Sequence, residues 1–244
     1  MICGDSTGVV RSVQPREGGS IPTSPLHSML VVPITKTVAE TFVLAKHYSK
    51  RASIFWAGFG LVIGGKIEGV VVYGQPSPPI QKHAFRDRQF RIYELSRLVI
   101  QTKAENAASF LVGRSLQMLV HPSAVVSYAD TEWGHAGIVY QATNWLYTGA
   151  TKSHDHAYLV NGKRVHPITL RDKGITDPKR WAKEHNIKTL PPMDKHRYFF
   201  LIGNKKEKSS MRERLAYPVV SAYPKLPKSK YDAGPRINMK AKAK

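Results

Sequence analysis

The stretch from Tyr93 to Gly149 constrains this chain more than any other. YELSRLVI at 93–100 reads as a strand with charges set inside it, and ENAASFLVGRSLQML from Glu105 as a helix opening on small residues. AVVSYAD at 124–130 is an apolar strand ending on a carboxylate, and HAGIVYQATNWLYTG from His135 an amphipathic helix ending near Gly149. This strand, helix, strand, helix unit is the predicted working core of an α/β domain, with the rest of the chain arranged around it.

In a strand from Tyr93 to Ile100, simple alternation places Tyr93, Leu95, Arg97 and Val99 on one face and Glu94, Ser96, Leu98 and Ile100 on the other. Each face then mixes apolar and polar groups. Burying Glu94 or Arg97 unpaired is costly, so each is expected to hold a partner or a ligand, a mutual ion pair being the plainest case. In the next helix Phe110, Leu111, Met118 and Leu119 define an apolar stripe with Arg114 and Ser115 at its edges. Asn106, Ala107, Ala108 and Ser109 leave its first backbone N–H groups open, an arrangement that suits a phosphate. Asp130, at a strand end, is a candidate base or a loop cap. The last helix carries Ile138, Tyr140, Trp145 and Tyr147, and Asn144 can take a left-handed conformation to end it.

Around this core the chain divides into a Ser, Gly and Pro-rich leader (1–28), a main α/β domain (29–203) and a basic, mostly irregular tail (204–244). LVVPIT at 30–35 is a short strand. Thr35 or Thr37 caps a helix in which Val38, Phe42 and Ala45 recur at helical spacing, and that helix runs into the polar cluster KHYSKR. FWAGFGLVIGG and EGVVVYGQP are two strands joined around Gly64, Gly65 and Lys66. Residues 76–91 read as a proline-broken, basic loop. Beyond Gly149, HDHAYLVNGKRV is a strand with a turn at Asn161 and Gly162, ITDPKRWAKEH a short helix capped by Asp177, and HRYFFLI a final strand.

Charge narrows the partners. Lys and Arg number 37 against 17 Asp and Glu, a formal +20. Arg171 to Lys244 alone holds 20 basic and 7 acidic residues, and KHRYFFLIGNKK interleaves cations with aromatics. A nucleic acid is the expected partner. No run reaches the roughly 18 apolar residues of a membrane span, and the opening residues lack the pattern of an export signal. The single cysteine, Cys3, excludes an internal disulfide and a cysteine-rich zinc site and fits a reducing cytosol. His154, Asp155 and His156 place two imidazoles on one strand face without an identified third ligand.

The order of elements resembles the acetyltransferase fold of the GCN5-related superfamily, a mixed, mostly antiparallel central sheet flanked by helices. The sharpest local match is YQATNWLYTG, Tyr140 to Gly149, against that fold's YEKLGFKxxG; the glycine-rich QxxGxG/A loop is absent. The resemblance implies acetyl-CoA or a related acyl donor, its pantetheine arm on the backbone of Leu98 and Ile100 and its pyrophosphate at Asn106, Ala107, Ala108 and Ser109. More specifically, HYSKR at 47–51, YELSRLVI and SYADTEWGHAGIVYQATNWLYTG together are similar to the Mom family of Mu-like phages, over roughly residues 30 to 203. That resemblance implies modification of adenine N6 in double-stranded DNA with a carbamoylmethyl (acetamido) group, in the host cell cytoplasm, shielding phage DNA from restriction. It implies His47, Tyr48, Arg97, Ser115, Asp130 and Tyr140 as catalytic candidates. His47, with another histidine and Asp130, would make a two-His, one-carboxylate iron site. The alternatives are an ordinary N-acetyltransferase acting on RNA or a small amine, and a non-catalytic DNA-binding protein.

Overall fold

Glycines at 64 and 65, both with positive φ (56° and 77°), close a tight hairpin and so start the sheet that organises the molecule. The computed structural model describes residues 29–46, 53–131, 134–151 and 156–225. In chain order the elements are β1 (Met29–Pro33), α1 (Lys36–Lys46), β2 (Ala57–Ile63), β3 (Lys66–Gly74), α2 (Pro78–His83), β4 (Arg91–Ile100), α3 (Ala107–Gln117), β5 (Ser123–Asp130) and α4 (Ile138–Ala142). There follow β6 (Leu146–Ala150), β7 (Ala157–Val160), β8 (Lys163–Val165), α5 (Pro167–Arg171), α6 (Pro178–Glu184), β9 (Thr189–Leu190), β10 (Lys195–Ile202) and α7 (Lys205–Arg214).

Seven strands form one sheet in the order β1-β2-β3-β4-β5-β10-β6. Every pairing is antiparallel except that of β4 with β5, which the α3 crossover makes parallel. On one face Phe59, Tyr73, Tyr93, Leu95, Val125 and Tyr198 pack against Leu111, Val112 and Leu116 of α3 and Tyr140 of α4. On the other face Val70, Val72 and Val99 meet Ala39 and Val43 of α1, while Ile92, Val126 and Phe199 meet Ile80 of α2 and Met211 of α7. The mixed, mostly antiparallel sheet flanked by helices is the architecture expected from the sequence.

Several local expectations hold for the reasons given. Thr35 Oγ1 accepts from Val38 N at the start of α1, Asn161 and Gly162 turn with positive φ, and Asp177 caps α6 with Pro178 at its first position. Others need correction. The last helix of the core is one turn and a half long: Asn144 at φ 59° stops α4, and Leu146–Ala150 is the strand β6, so Trp145 and Tyr147 are not helical. Residues 78–83 form α2, started by the very prolines that broke the pattern, because proline suits a first helical turn. The buried stripe of α1 is Ala39 and Val43 with Phe42 beside it, while Val38 is exposed. Within the stretch read as an irregular tail, α7 is a helix with a full capping box between Asn204 and Glu207. The segment after it covers the edge strand β6: Val220 N donates to Tyr147 O at 2.8 Å and the Tyr223 hydroxyl to Trp145 O at 2.7 Å.

The most consequential correction lies in β4. Tyr73 pairs with Leu95 but Val72 pairs with Arg97, so Ser96 is an extra residue, a β-bulge. The bulge resets the alternation. Leu98 and Ile100 therefore join Tyr93 and Leu95 on the α3 face, and Arg97 and Val99 join Glu94 on the opposite face. The faces inferred from strict alternation are wrong beyond Leu95 for this reason.

Candidate active site

The parallel ladder between β4 and β5 runs only from Arg91↔Ser123 to Glu94↔Val126. Strand β4 continues to Ile100 on its β3 side alone, so the two strands splay. Gln101 N donates to Glu68 O at 2.7 Å, which fixes the phase of the antiparallel ladder. Residues 97 and 99 then exchange bonds with β3, and the backbone groups of Leu98 and Ile100 point away from β3 into the splay. At the apex, where the ladder stops, the Ser127 hydroxyl lies 2.8 Å from the Leu95 carbonyl oxygen and 2.7 Å from the Tyr140 hydroxyl, with one proton to donate to either.

Behind the apex, on the α3 face, sits a buried set of hydroxyls. Tyr73 and Ser115 are joined at 2.7 Å, and Ser115 Oγ also donates to Val112 O at 3.0 Å. Burial pushes the Tyr73 phenol far above the usual tyrosine range; the Ser115 hydrogen bond pulls it back, and its interaction with Tyr140 adds to the rise. Tyr198 is pushed up to about 12, again chiefly by burial. These tyrosines stay protonated at neutral pH. The sequence-predicted Ser115 and Tyr140 thus each sit in a hydrogen-bonded pair, with Tyr73 and Ser127, which sequence reasoning did not single out, and the two phenols interact electrostatically. A serine inside the otherwise apolar run AVVSYA was the signal for Ser127.

The opposite face is charged. Burial raises Glu94 above the ordinary carboxylate value, opposed first by the positive charge of Arg97, then by the Ser77 backbone N–H and by Lys195. Tyr128 is raised by burial and by the Glu94 charge, with Arg197 opposing. Arg197 Nε donates to Thr148 Oγ1 at 2.9 Å, and its guanidinium stands 3.4 Å from the centre of the Tyr217 ring. Lys195 Nζ pairs with Asp130 Oδ2 at 3.2 Å at the far end of β5. The structure therefore puts Arg97 and Asp130 on this face and Ser115 and Tyr140 on the other. Glu94 is the partner the sequence suggests for Arg97, while Tyr128, Lys195 and Arg197 are neighbours that it did not place there.

His47 and Tyr48 lie outside the described residues, as do His154 and Asp155. At the start of α3, Asn106 adopts a left-handed conformation at φ 59° with no side-chain cap on the helix, and its carbonyl accepts from Phe110 N and Ser109 Oγ. Ala107 is buried, while Ala108 and Ser109 are half-buried beside the loop that leaves β4. For an iron ion the fit is poor. Among the described residues no three or more His, Cys, Asp or Glu side chains are grouped to hold a metal, and Asp130 is engaged by Lys195.

A seven-strand mixed sheet whose one parallel pair splays beyond a bulge, with a tyrosine hydroxyl at the apex, defines an α/β protein of acetyltransferase-like architecture. The chain belongs to the Mom protein family, whose sequence model matches residues 28–225. It is similar to the methylcarbamoylase Mom of Escherichia phage Mu, at 30% identity over 141 residues, 54% of this chain and 58% of that one. The chain thus spans a little over half the length of that relative. Among solved structures it is similar to an acetyltransferase from Streptococcus pneumoniae at 14% identity and a TM-score of 0.41, covering 71% of this chain and 99% of the other. An acetyltransferase from Bacillus subtilis in complex with CoA matches at 11% identity and a TM-score of 0.36, covering 71% and 97%. No helix among the described residues is long and apolar enough to cross a membrane.

Proposed function

We propose that this protein is a phage DNA-modifying transferase that converts adenine in double-stranded DNA to N6-carbamoylmethyladenine in the host cytoplasm, protecting the DNA from restriction. The observation that carries the reading is the placement of the Tyr140 hydroxyl at the apex of the β4–β5 splay, in a chain of the Mom family.

The splay has the shape and chemistry for the arm of a CoA thioester. Backbone groups of Leu98 and Ile100 are free of the β3 ladder on that side, so an amide-bearing arm can complete the hydrogen bonding that β5 abandons. The uncapped start of α3 at Asn106 to Ser109 is the place for the donor's phosphates. At the apex, Tyr140 is positioned to protonate a departing thiolate, with Ser127 orienting its hydroxyl.

The acceptor side makes different demands. The N6 amine is a poor nucleophile because its lone pair is delocalised into the ring, so it needs orientation and a base for its proton. Asp130 and His47 are the candidates for that base, and Arg97 and Tyr48 for orientation. In a duplex the amine is paired, so the base is flipped out at a cost of a few kcal/mol.

The product distinguishes two chemistries. Attack at the thioester carbonyl joins nitrogen to the acyl carbon and leaves N-acetyladenine and a thiol. A carbamoylmethyl product instead joins N6 to the former methyl carbon, the N6 proton, one methyl hydrogen and two electrons passing to an oxidant, while an ammonia-level nitrogen takes the place of the departing thiolate on the acyl carbon. Mass spectrometry of nucleosides from DNA of cells expressing the protein decides: adenine heavier by a carbamoylmethyl group is expected. An acetyl increment would move the protein to ordinary acyl transfer. Unmodified adenine in DNA from well-expressing cells would refute the reading.

A further inference from the structure

Between β6 and β10 the chain leaves the main sheet and builds a second, small unit. Strands β7, β8 and β9 form their own sheet in the order β8-β7-β9. With α5 and α6 they enclose a separate core of Tyr158, Leu170 and Ala182, against which Trp181 and Ile187 pack. This insertion needs no apolar face of the main sheet to complete it. From His156 to Leu190 it carries eight Lys and Arg against three Asp and Glu, a formal +5.

Two of those acids are engaged within α6. Asp177 Oδ1 accepts from the backbone of Lys179 and Arg180, and Glu184 pairs with Arg180 at 2.7 Å. The five lysines, at 163, 173, 179, 183 and 188, are all exposed. The interior is apolar, so the excess charge lies on the surface. Its location is the second observation. Thr151 N donates to Lys195 O at 2.8 Å, closing the neck of the insertion, and Lys195 is the strand partner of Asp130. Both ends of the insertion therefore leave the sheet at the end of β5 that carries Asp130, beside the candidate site.

We propose that the inserted unit His156–Leu190 is a grip for the phosphate backbone of duplex DNA, holding it at the mouth of the site while one base is presented to the splay. The inference rests on the DNA-modifying reading and assigns its substrate contact. Lysines on a short helix and a small sheet suit it, because cations on phosphates hold the duplex without reading sequence. Neutralising a lysine that sits on a phosphate abolishes the counterion release at that phosphate and so flattens the dependence of affinity on salt.

The test is the full-length protein with Lys163, Lys179, Lys183 and Lys188 all replaced by Gln, compared with a control in which Lys205, Lys206, Lys208 and Arg212 of α7 are replaced by Gln. Both lose the same charge. Duplex affinity of the first is expected to fall about tenfold or more at moderate salt, with the slope of log affinity against log salt shallower by about 3. The control is expected to lose much less, and Lys→Arg at the first four positions to restore both quantities. Unchanged thermal midpoints exclude unfolding as the cause. Equal losses in the two Gln variants, no loss in the first, or a loss confined to RNA hairpins would overturn the inference. Nucleoside mass spectrometry on the same wild-type protein separates this from the parent reading: modified adenine with an unaffected first variant defeats only the grip.

Discussion

The two faces of the central sheet meet at the splay and are built from opposite chemistry. On the α3 side Tyr73, Ser115, Ser127 and Tyr140 are buried hydroxyls held in two short hydrogen-bonded pairs, Tyr73 with Ser115 and Ser127 with Tyr140. On the α1, α2 and α7 side Glu94, Arg97, Asp130, Lys195 and Arg197 are charged and partly open. Neutral hydroxyls in a dry setting are rigid donors whose protons are retained, whereas paired charges near solvent are adjustable and suit an ionic substrate. In the proposed reaction the thioester meets the first face and the DNA the second, and the bulge at Ser96 is what keeps the two sets apart. Without the extra residue, Arg97 would project into the tyrosines.

The largest effect is expected at Tyr140. Tyr140→Phe removes the apex hydroxyl without changing the packing, and turnover is expected to fall by about 10²–10³-fold while duplex affinity holds. Parallel rate and binding measurements check both halves of that statement. Next in size is Ser127→Ala, which frees the Leu95 carbonyl and the Tyr140 hydroxyl in a buried place. A loss of about 1–3 kcal/mol in urea unfolding is expected, together with reduced turnover.

Glu94→Gln sharpens the contrast through pH. The folded-state value of Glu94 lies above its ordinary 4.5, so the folded protein holds that proton to higher pH than the unfolded chain. Its contribution to stability is full below 4.5 and is lost as pH rises through the raised value. Unfolding free energies measured from below pH 4.5 upward should shift in favour of the Gln variant as pH rises. A constant difference would remove Glu94 from the charged set. The smallest effect is expected at Lys195→Ala, whose ammonium is about half exposed. Stability should change by less than about 1 kcal/mol, seen as a near-identical thermal midpoint.

Much of this arrangement is legible in the residues. Alternation and punctuation locate every strand of the main sheet except β6, and Gly64, Gly65, Asn161 and Asp177 declare their turns and cap through side-chain chemistry alone. Glu94 and Arg97 announce a need for partners because charges inside a strand rarely lack them. What escapes has a common cause. A bulge adds a residue without any compositional mark, so strict alternation exchanges the faces of β4 beyond Leu95. Asn144 carries a legible stop signal, but nothing in WLYTG distinguishes a strand from a further turn of helix, so β6 reads as the continuation of α4. The hydroxyl pairs join β3 to α3 and β5 to α4, at separations of 42 residues between Tyr73 and Ser115 and 13 between Ser127 and Tyr140, which no local pattern reveals.

In the proposed reaction adenine in DNA is modified at the apex of the splay. The most direct measurement is the fraction of modified adenine, by nucleoside mass spectrometry, in DNA from cells expressing the wild-type protein and Tyr140→Phe at equal levels. Carbamoylmethyl-adenine is expected with the wild type and a drop to near background with the variant. Equal modification by both, or none by the wild type, would contradict that placement.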